Sequence, residues 1–187
     1  MLIIHNLKIL YLVISLTVTT LLNAQGDEPF IQNGKFDFML HDLNGNIVSS
    51  TDKMFTGKVL LVTLWGTWCP PCISEIPTLI ELQRQYRDSG LVVIAISFET
   101  EGQDDLRREQ LRSFVDGYNI NYMILDGGIP KNLENTLPSL KNIGGLPVEI
   151  LINRGKIEVV RNGYGYSEVW AAKIKHEIKT LLKKSVN

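Results

Sequence analysis

Residues 65–72 read Trp-Gly-Thr-Trp-Cys-Pro-Pro-Cys and hold both cysteines of the chain. The run that leads into them, residues 58–65, is β-rich and almost continuously apolar, which is typical of a central strand covered on both faces. From Ile73 onward, apolar residues recur at helical spacing until Ser89 and Gly90. The sequence therefore predicts a strand that leads into a helix, with the two thiols at the helix amino terminus.

The spacing of the two thiols favours redox chemistry. Free backbone N–H groups and the positive end of the helix dipole stabilise a thiolate on Cys69, which is the expected nucleophile. Cys72 lies one turn further in, is expected to be more buried, and can attack a mixed disulfide formed by Cys69. Pro70 and Pro71 stiffen the loop, although Pro70 also removes an N–H donor.

Three other interpretations of the cysteine pair are considered. A structural disulfide closing four residues stabilises a fold by only on the order of 2 kcal/mol. A zinc site lacks partners at ligand spacing, because His41 and His176 stand far apart in the sequence, and no metal is expected. Two inert buried thiols are the third interpretation, although neighbouring cysteines pair readily in an oxidising compartment.

The rest of the chain alternates strands and helices. Residues 36–40 and 46–48 flank Asn44-Gly45, which predicts an opening β-hairpin. Pro77 is expected to kink the first helix. The remaining predicted elements are strands at 91–97, 122–125, 147–152 and 157–160, and helices at 104–118, 133–140 and 169–182. This βαβαβ order indicates an α/β fold with parallel pairing.

Composition narrows the class of protein. The chain has 187 residues, 44% hydrophobic and 21% charged, so it can bury a core and is neither collagen-like nor disordered. Its 19 basic and 20 acidic residues give a net charge of −1, and nucleic acid is therefore not expected as a partner. We interpret residues 30–187 as one domain.

The amino terminus has the plan of a secretory signal. Residues 9–22 form an apolar run that follows a short leader with Lys8 and precedes Ala24 and a polar stretch. We predict a signal peptide at residues 1–24, with an uncleaved anchor and a buried helix of the domain as alternatives. The run is shorter than the roughly 20 residues that span a bilayer. The protein is therefore expected to be exported, and to contact a membrane only through this segment if it is uncleaved.

Residues 62–72, Glu75 and Pro77, followed by the stretches at 145–147 and 155–157, resemble the exported TlpA/ResA-like thiol-disulfide oxidoreductases of the thioredoxin superfamily. The resemblance covers about residues 34–183. It implies a thioredoxin-like α/β fold, in which helices flank a central mixed sheet and the amino-terminal hairpin is an extension.

The resemblance also implies roles for individual residues. Pro147 is expected to be a cis-proline that faces the disulfide and helps to hold the substrate chain. Glu75, although its spacing alone suits an exposed helix position, is expected to manage the proton of the buried cysteine. At Thr63 thioredoxin itself has a buried aspartate, so the role of base passes to Glu75 or to water. The expected substrate-binding residues are Trp68, Pro70, Pro71, Leu146 and Pro147.

The function implied by the resemblance is reduction of disulfides in other exported proteins, including apocytochrome c, by a monomer without a cofactor. A membrane dithiol donor is expected to return the electrons. Two alternatives stay open: a redox-sensitive binding module, and a thiol peroxidase, although the Pro-x-x-x-Thr-x-x-Cys pattern of peroxiredoxins is absent. Glu149 falls in a predicted buried strand, where it either points into the active-site groove or reaches solvent from the sheet edge.

Overall fold

A computed structural model describes residues 28–100, 102–163 and 165–184. The strands within these ranges are β1 (Phe30–Ile31), β2 (Met39–Asp42), β3 (Ile47–Ser49), β4 (Val59–Trp65), β5 (Leu91–Ser97), β6 (Met123–Asp126), β7 (Leu140–Lys141), β8 (Val148–Asn153) and β9 (Lys156–Asn162). The helices are α1 (Pro70–Tyr86), α2 (Asp104–Tyr118), α3 (Leu133–Thr136) and α4 (Glu168–Lys184). The predicted signal segment 1–24 lies outside the described residues.

Seven of these strands form one mixed sheet in the order β3-β2-β6-β5-β4-β8-β9. Strand β4 pairs in parallel with β5 and antiparallel with β8. Every residue of β4 is buried, because helices or the amino-terminal segment cover both faces of the sheet. The predicted central strand is therefore confirmed.

Two layers of apolar side chains cover the sheet. On one face, α1 and α4 pack on β4, β5 and β8 through a buried aliphatic cluster that includes Leu61, Leu82 and Ile178. On the same face, Leu111 of α2 packs with Trp65 and the two cysteines. The opposite face packs on the amino-terminal segment and on the region around α3. The predicted α/β fold with a mixed sheet and flanking helices is confirmed.

The opening hairpin is confirmed, with β2 antiparallel to β3 and Gly45 at a φ of 84° in the turn between them. Beyond the predicted kink position Pro77, α1 continues to Tyr86. The helix predicted at 133–140 is too long. It ends at Thr136, because Leu140 pairs with Ile31 in a separate two-stranded sheet of β1 and β7.

Among the described residues, no helix combines the length and the apolar character that a membrane span requires. Within the same ranges, no cluster of three or more His, Cys, Asp and Glu side chains is arranged to hold a metal ion.

Candidate active site

The two cysteines form a disulfide at the amino terminus of α1. Cys69 is the N-cap residue, and its sulfur accepts a hydrogen bond from the Cys72 N–H at 3.3 Å. Pro70 and Pro71 occupy the first two helical positions and carry no N–H. The first helical N–H that can stabilise a Cys69 thiolate is therefore that of Cys72.

Both cysteines are buried, each with an exposed fraction of 3%. The prediction that Cys72 is the more buried of the two is therefore wrong for the disulfide form. Cys69 is covered because Leu146 packs against the cluster that contains both cysteines. The Cys69 sulfur lies 3.6 Å from the Leu146 carbonyl oxygen.

The segment before β8 faces the disulfide. The peptide bond between Leu146 and Pro147 is cis, as predicted. The structure thus brings Cys69, Cys72 and Leu146 together, and Pro147 follows Leu146 across the cis bond. Their proposed roles in catalysis and substrate binding stay predictions.

Trp68, which precedes Cys69 in the sequence, has a half-exposed side chain. Its exposed fraction is 44%, and its Nε1–H donates to the Phe98 carbonyl oxygen at 2.7 Å. A Cβ atom at Gly66 would lie 2.5 Å from Trp68 Nε1 and 2.7 Å from that oxygen, so glycine is required there. Pro70 and Pro71 are exposed at the same edge. The indole edge is thus fixed while much of the ring remains open to a partner.

Sequence reasoning missed a buried carboxylate under the active-site loop. Glu99 accepts hydrogen bonds from the Thr67 N–H at 2.9 Å, the Thr67 hydroxyl at 2.6 Å and the Ser97 hydroxyl at 2.5 Å. The position of Glu99 two residues after a buried strand was the available signal, because polar groups at the carboxyl ends of parallel strands collect near functional sites. Glu99 holds the residues that precede Cys69.

Glu75 is buried, with an exposed fraction of 1%. It lies three residues after Cys72 and thus on the same side of α1. Burial, followed by repulsion from Glu149, raises the pKa of Glu75 to about 8, against the opposing effects of the Gly165 N–H and Arg161. Its Oε1 atom has no hydrogen-bond partner among the described residues. Burial therefore favours the protonated form of Glu75 at neutral pH in the disulfide form.

Glu149 does not reach solvent from the sheet edge, which was one of the two predictions for this residue. Strand β8 lies between β4 and β9, so Glu149 is not at a sheet edge and does not reach solvent. Its Oε2 accepts from Arg161 Nε at 2.7 Å, and its Oε1 accepts from Trp170 Nε1. A glutamate within the apolar strand 148–152 was the only signal in the sequence that a buried ion pair exists here.

Gly163 allows β9, Pro147 and Glu75 to approach one another. A Cβ atom at Gly163 would lie 2.6 Å from Pro147 Cγ and 3.1 Å from Glu75 Oε1. The Gly163 N–H also donates to the Pro147 carbonyl oxygen at 2.8 Å. Close contact of Gly163 with Pro147 and Glu75 thus depends on the absence of a side chain at Gly163.

Replacing Gly163 with alanine is expected to destabilise the protein by about 1–3 kcal/mol, because the added methyl group displaces Pro147 or Glu75. Urea unfolding of the oxidised protein measures this change. Gly144→Ala is the matched control, because a Cβ atom at Gly144 meets nothing within 4 Å. Equal stability of the two variants would contradict the prediction.

The sequence matches one protein family and several relatives. The model of the AhpC/TSA family matches residues 32–158. The chain belongs to this family. Among curated relatives, the thioredoxin-like protein YneN of Bacillus subtilis is 37% identical over 100 residues, which span 52% of this chain and 55% of that protein. The thiol-disulfide oxidoreductase ResA of Bacillus cereus is 30% identical over 136 residues, 70% of each chain.

Solved structures agree on the fold. A thiol:disulfide interchange protein of the thioredoxin family from Chlorobium tepidum aligns with a TM-score of 0.61 and 22% identity, covering 82% of this chain and 97% of that chain. This likeness confirms the predicted thioredoxin-like fold. The relatives' names confirm the predicted membership among the thiol-disulfide oxidoreductases.

Proposed function

We propose that this protein is an extracytoplasmic oxidoreductase that reduces disulfides in other exported proteins. One observation carries the proposal: the Cys69–Cys72 disulfide lies at the amino terminus of α1 next to the Leu146 carbonyl, with the buried carboxyl of Glu75 on the same side of that helix. A structural disulfide needs neither neighbour, because its stabilising effect on the fold does not depend on a nearby carbonyl or proton donor.

Reduction of a substrate begins with the dithiol form of the protein. The Cys69 thiolate attacks one sulfur of the substrate disulfide and forms a mixed disulfide, while the other substrate sulfur leaves as a thiolate and takes a proton from solvent. Cys72 then passes its thiol proton to the Glu75 carboxylate and attacks the Cys69 sulfur. The second substrate sulfur leaves as a thiolate, and the protein ends as the disulfide with Glu75 protonated.

Return of the electrons uses the same groups in reverse. A thiolate of the donor attacks the Cys69 sulfur, and Cys72 leaves as a thiolate. Glu75, which carries a proton in the disulfide form at neutral pH, can donate it to Cys72. The second donor thiolate then displaces Cys69, so two electrons pass from the donor dithiol to this protein. We propose that the donor is a membrane dithiol protein, since an oxidising compartment does not supply reducing thiols.

Substrate docking is proposed at the edge formed by Trp68, Pro70, Pro71 and the Leu146–Pro147 segment. The half-exposed indole and the exposed prolines give an apolar surface next to the sulfur of Cys69. Exported proteins with disulfides, apocytochrome c among them, are the proposed substrates. The predicted signal segment 1–24 supports this location.

A reversible two-electron couple is the expected result when residues 25–187 are titrated in dithiothreitol or glutathione buffers and followed by thiol trapping. A reduction potential near or below about −220 mV supports a reductase, whereas a value near about −120 mV indicates an oxidant that inserts disulfides. Absence of a reversible couple would favour a redox-sensitive binding module. Consumption of peroxide would favour a thiol peroxidase.

A further inference from the structure

A second buried carboxylate, that of Glu149, lies near Glu75 and has no role in the proton transfer proposed above. Glu149 has an exposed fraction of 2% and faces Arg161 directly across the β8–β9 ladder. The carboxyl of Glu75 reaches the same end of this ladder, where its Oε1 atom lies beside Gly163 and Pro147. The two glutamates therefore share one water-poor region between α1 and the sheet.

Hydrogen-bond donors distinguish the two carboxyl groups. Both oxygens of Glu149 accept bonds from fixed N–H groups, one from Arg161 and the other from Trp170. Glu75 has one oxygen without any partner among the described residues. Two like charges in a region of low dielectric are costly, and the N–H donors around Glu149 stabilise a negative charge there better than the surroundings of Glu75 do.

Arg161 does not cancel the charge of Glu149 completely, because it is shared with a third carboxylate. Its two terminal nitrogens donate to the oxygens of Glu177 on α4 at 3.0 and 2.9 Å. One guanidinium thus stands between two carboxylates, and this group of three carries a net negative charge. Repulsion from Glu149, which raises the pKa of Glu75, is larger than the attraction by Arg161, which lowers it.

The other groups that face Glu75 bring little competing charge. Thr63 lies opposite Glu149 on β4, is neutral, and its hydroxyl has no hydrogen-bond partner among the described residues. Tyr122, which precedes β6, has its pKa raised by burial and then by Glu75, so it stays neutral. On α1 itself, Cys69 and Cys72 are joined in the disulfide.

We propose that Glu149 is a positioning residue for the proton of Glu75: its buried charge, held by Arg161 and Trp170, keeps Glu75 protonated while the disulfide is closed. The inference rests on the proposed function, in which this proton goes to Cys72 when the disulfide is reduced. Glu149 touches neither the substrate nor the sulfur atoms in this scheme. Its effect is to retain the proton of Glu75 at neutral pH.

The test is a pH titration of the Glu75 carboxyl in the oxidised full-length protein, followed by carbon NMR of labelled glutamate. In the wild type the expected midpoint is about 8. Glu149→Gln is expected to lower the midpoint by about one pH unit or more, because a like charge is removed. Glu149→Asp keeps the charge and is expected to hold the midpoint near the wild-type value.

Glu177→Gln is the matched control, since it removes a carboxylate from the same arginine at the more exposed end of the group of three. A fall in the midpoint that is as large in Glu177→Gln as in Glu149→Gln would overturn the proposal, and so would an unchanged midpoint in Glu149→Gln. If Glu149→Gln does not fold, Glu149→Met removes the same charge with an apolar side chain of similar size. A fall of about one pH unit in the midpoint of that variant supports the proposal, and an unchanged midpoint overturns it.

The titration needs no turnover, so its result is separate from the proposed function. A protein without a reversible redox couple, but with the expected shift in the titration, would refute the function and leave the coupling between Glu149 and Glu75 intact. An active protein with an unshifted titration would refute the role of Glu149 alone. In the Glu75→Gln background, Glu149→Gln is expected to leave the pH profile of exchange unchanged.

Discussion

Replacing Cys72 with serine is expected to give a protein that accumulates mixed disulfides, whereas replacing Cys69 with serine is expected to abolish exchange completely. The difference follows from position: Cys69 caps α1 and lies next to Leu146, where a substrate chain is proposed to bind. Without Cys72, the complex of Cys69 with its substrate has no internal nucleophile to release it.

Non-reducing electrophoresis and mass spectrometry of each variant, mixed with a disulfide-bearing exported protein, measure these outcomes. The wild-type protein and the double serine variant are the controls. Both single variants are expected to fold, because a disulfide that closes four residues stabilises the chain by only on the order of 2 kcal/mol. A stable mixed disulfide formed by the Cys69→Ser variant would show that Cys72 is the attacking cysteine and would contradict the assignment.

Replacing Glu75 with glutamine is expected to slow release of the mixed disulfide by about 10²-fold or more near neutral pH. Glutamine fills the same volume but can neither accept the Cys72 proton nor return it, and proton transfer by a positioned group contributes roughly 10²–10⁴-fold. Stopped-flow measurement of the second exchange step, across pH 5 to 9, follows this change. Glu81→Gln, at an exposed position on the same helix, is the control.

The same substitution is expected to change how stability depends on pH. In the folded disulfide form the pKa of Glu75 is about 8, above its ordinary value of 4.5, so the folded protein binds this proton more tightly than the unfolded chain. Glu75 therefore makes the protein lose stability as pH rises from about 4.5 to about 8, by on the order of 5 kcal/mol in total. Urea unfolding of the oxidised Glu75→Gln variant should lack this loss. A loss identical to that of the wild type would contradict the burial of a protonated Glu75.

Local sequence patterns were sufficient for most of the elements. The apolar run before the cysteines is the central strand β4, and the charged amphipathic pattern at Asp104–Tyr118 is helix α2 with those bounds. These patterns are reliable because the residues on the buried face of a helix or strand recur at a fixed spacing along the chain. The short helix that begins at Leu133 was predicted too long because Leu140 belongs to a strand. Its pairing partner, Ile31, lies more than a hundred residues earlier in the chain.

The candidate site was only partly predictable, for the same reason. The cysteine spacing and the position of Glu75 are local, and they predict the proposed redox pair and a nearby carboxyl. Neither the bonds of Thr67 to Glu99 nor the approach of Gly163 to Pro147 could be predicted, since each joins residues that only the fold brings together.

The sequence by itself determined the chemistry, because two thiols at a helix amino terminus follow from a continuous stretch of eight residues, 65–72. The tertiary structure alone decided which buried groups surround those thiols and how they shift the pKa of Glu75. Glu149 accepts hydrogen bonds from Arg161 on β9 and Trp170 on α4, and no local pattern in the sequence assigns these donors to it. Electrostatic interactions act through space in a region of low dielectric, so the raised pKa of Glu75 is a property of the assembled fold.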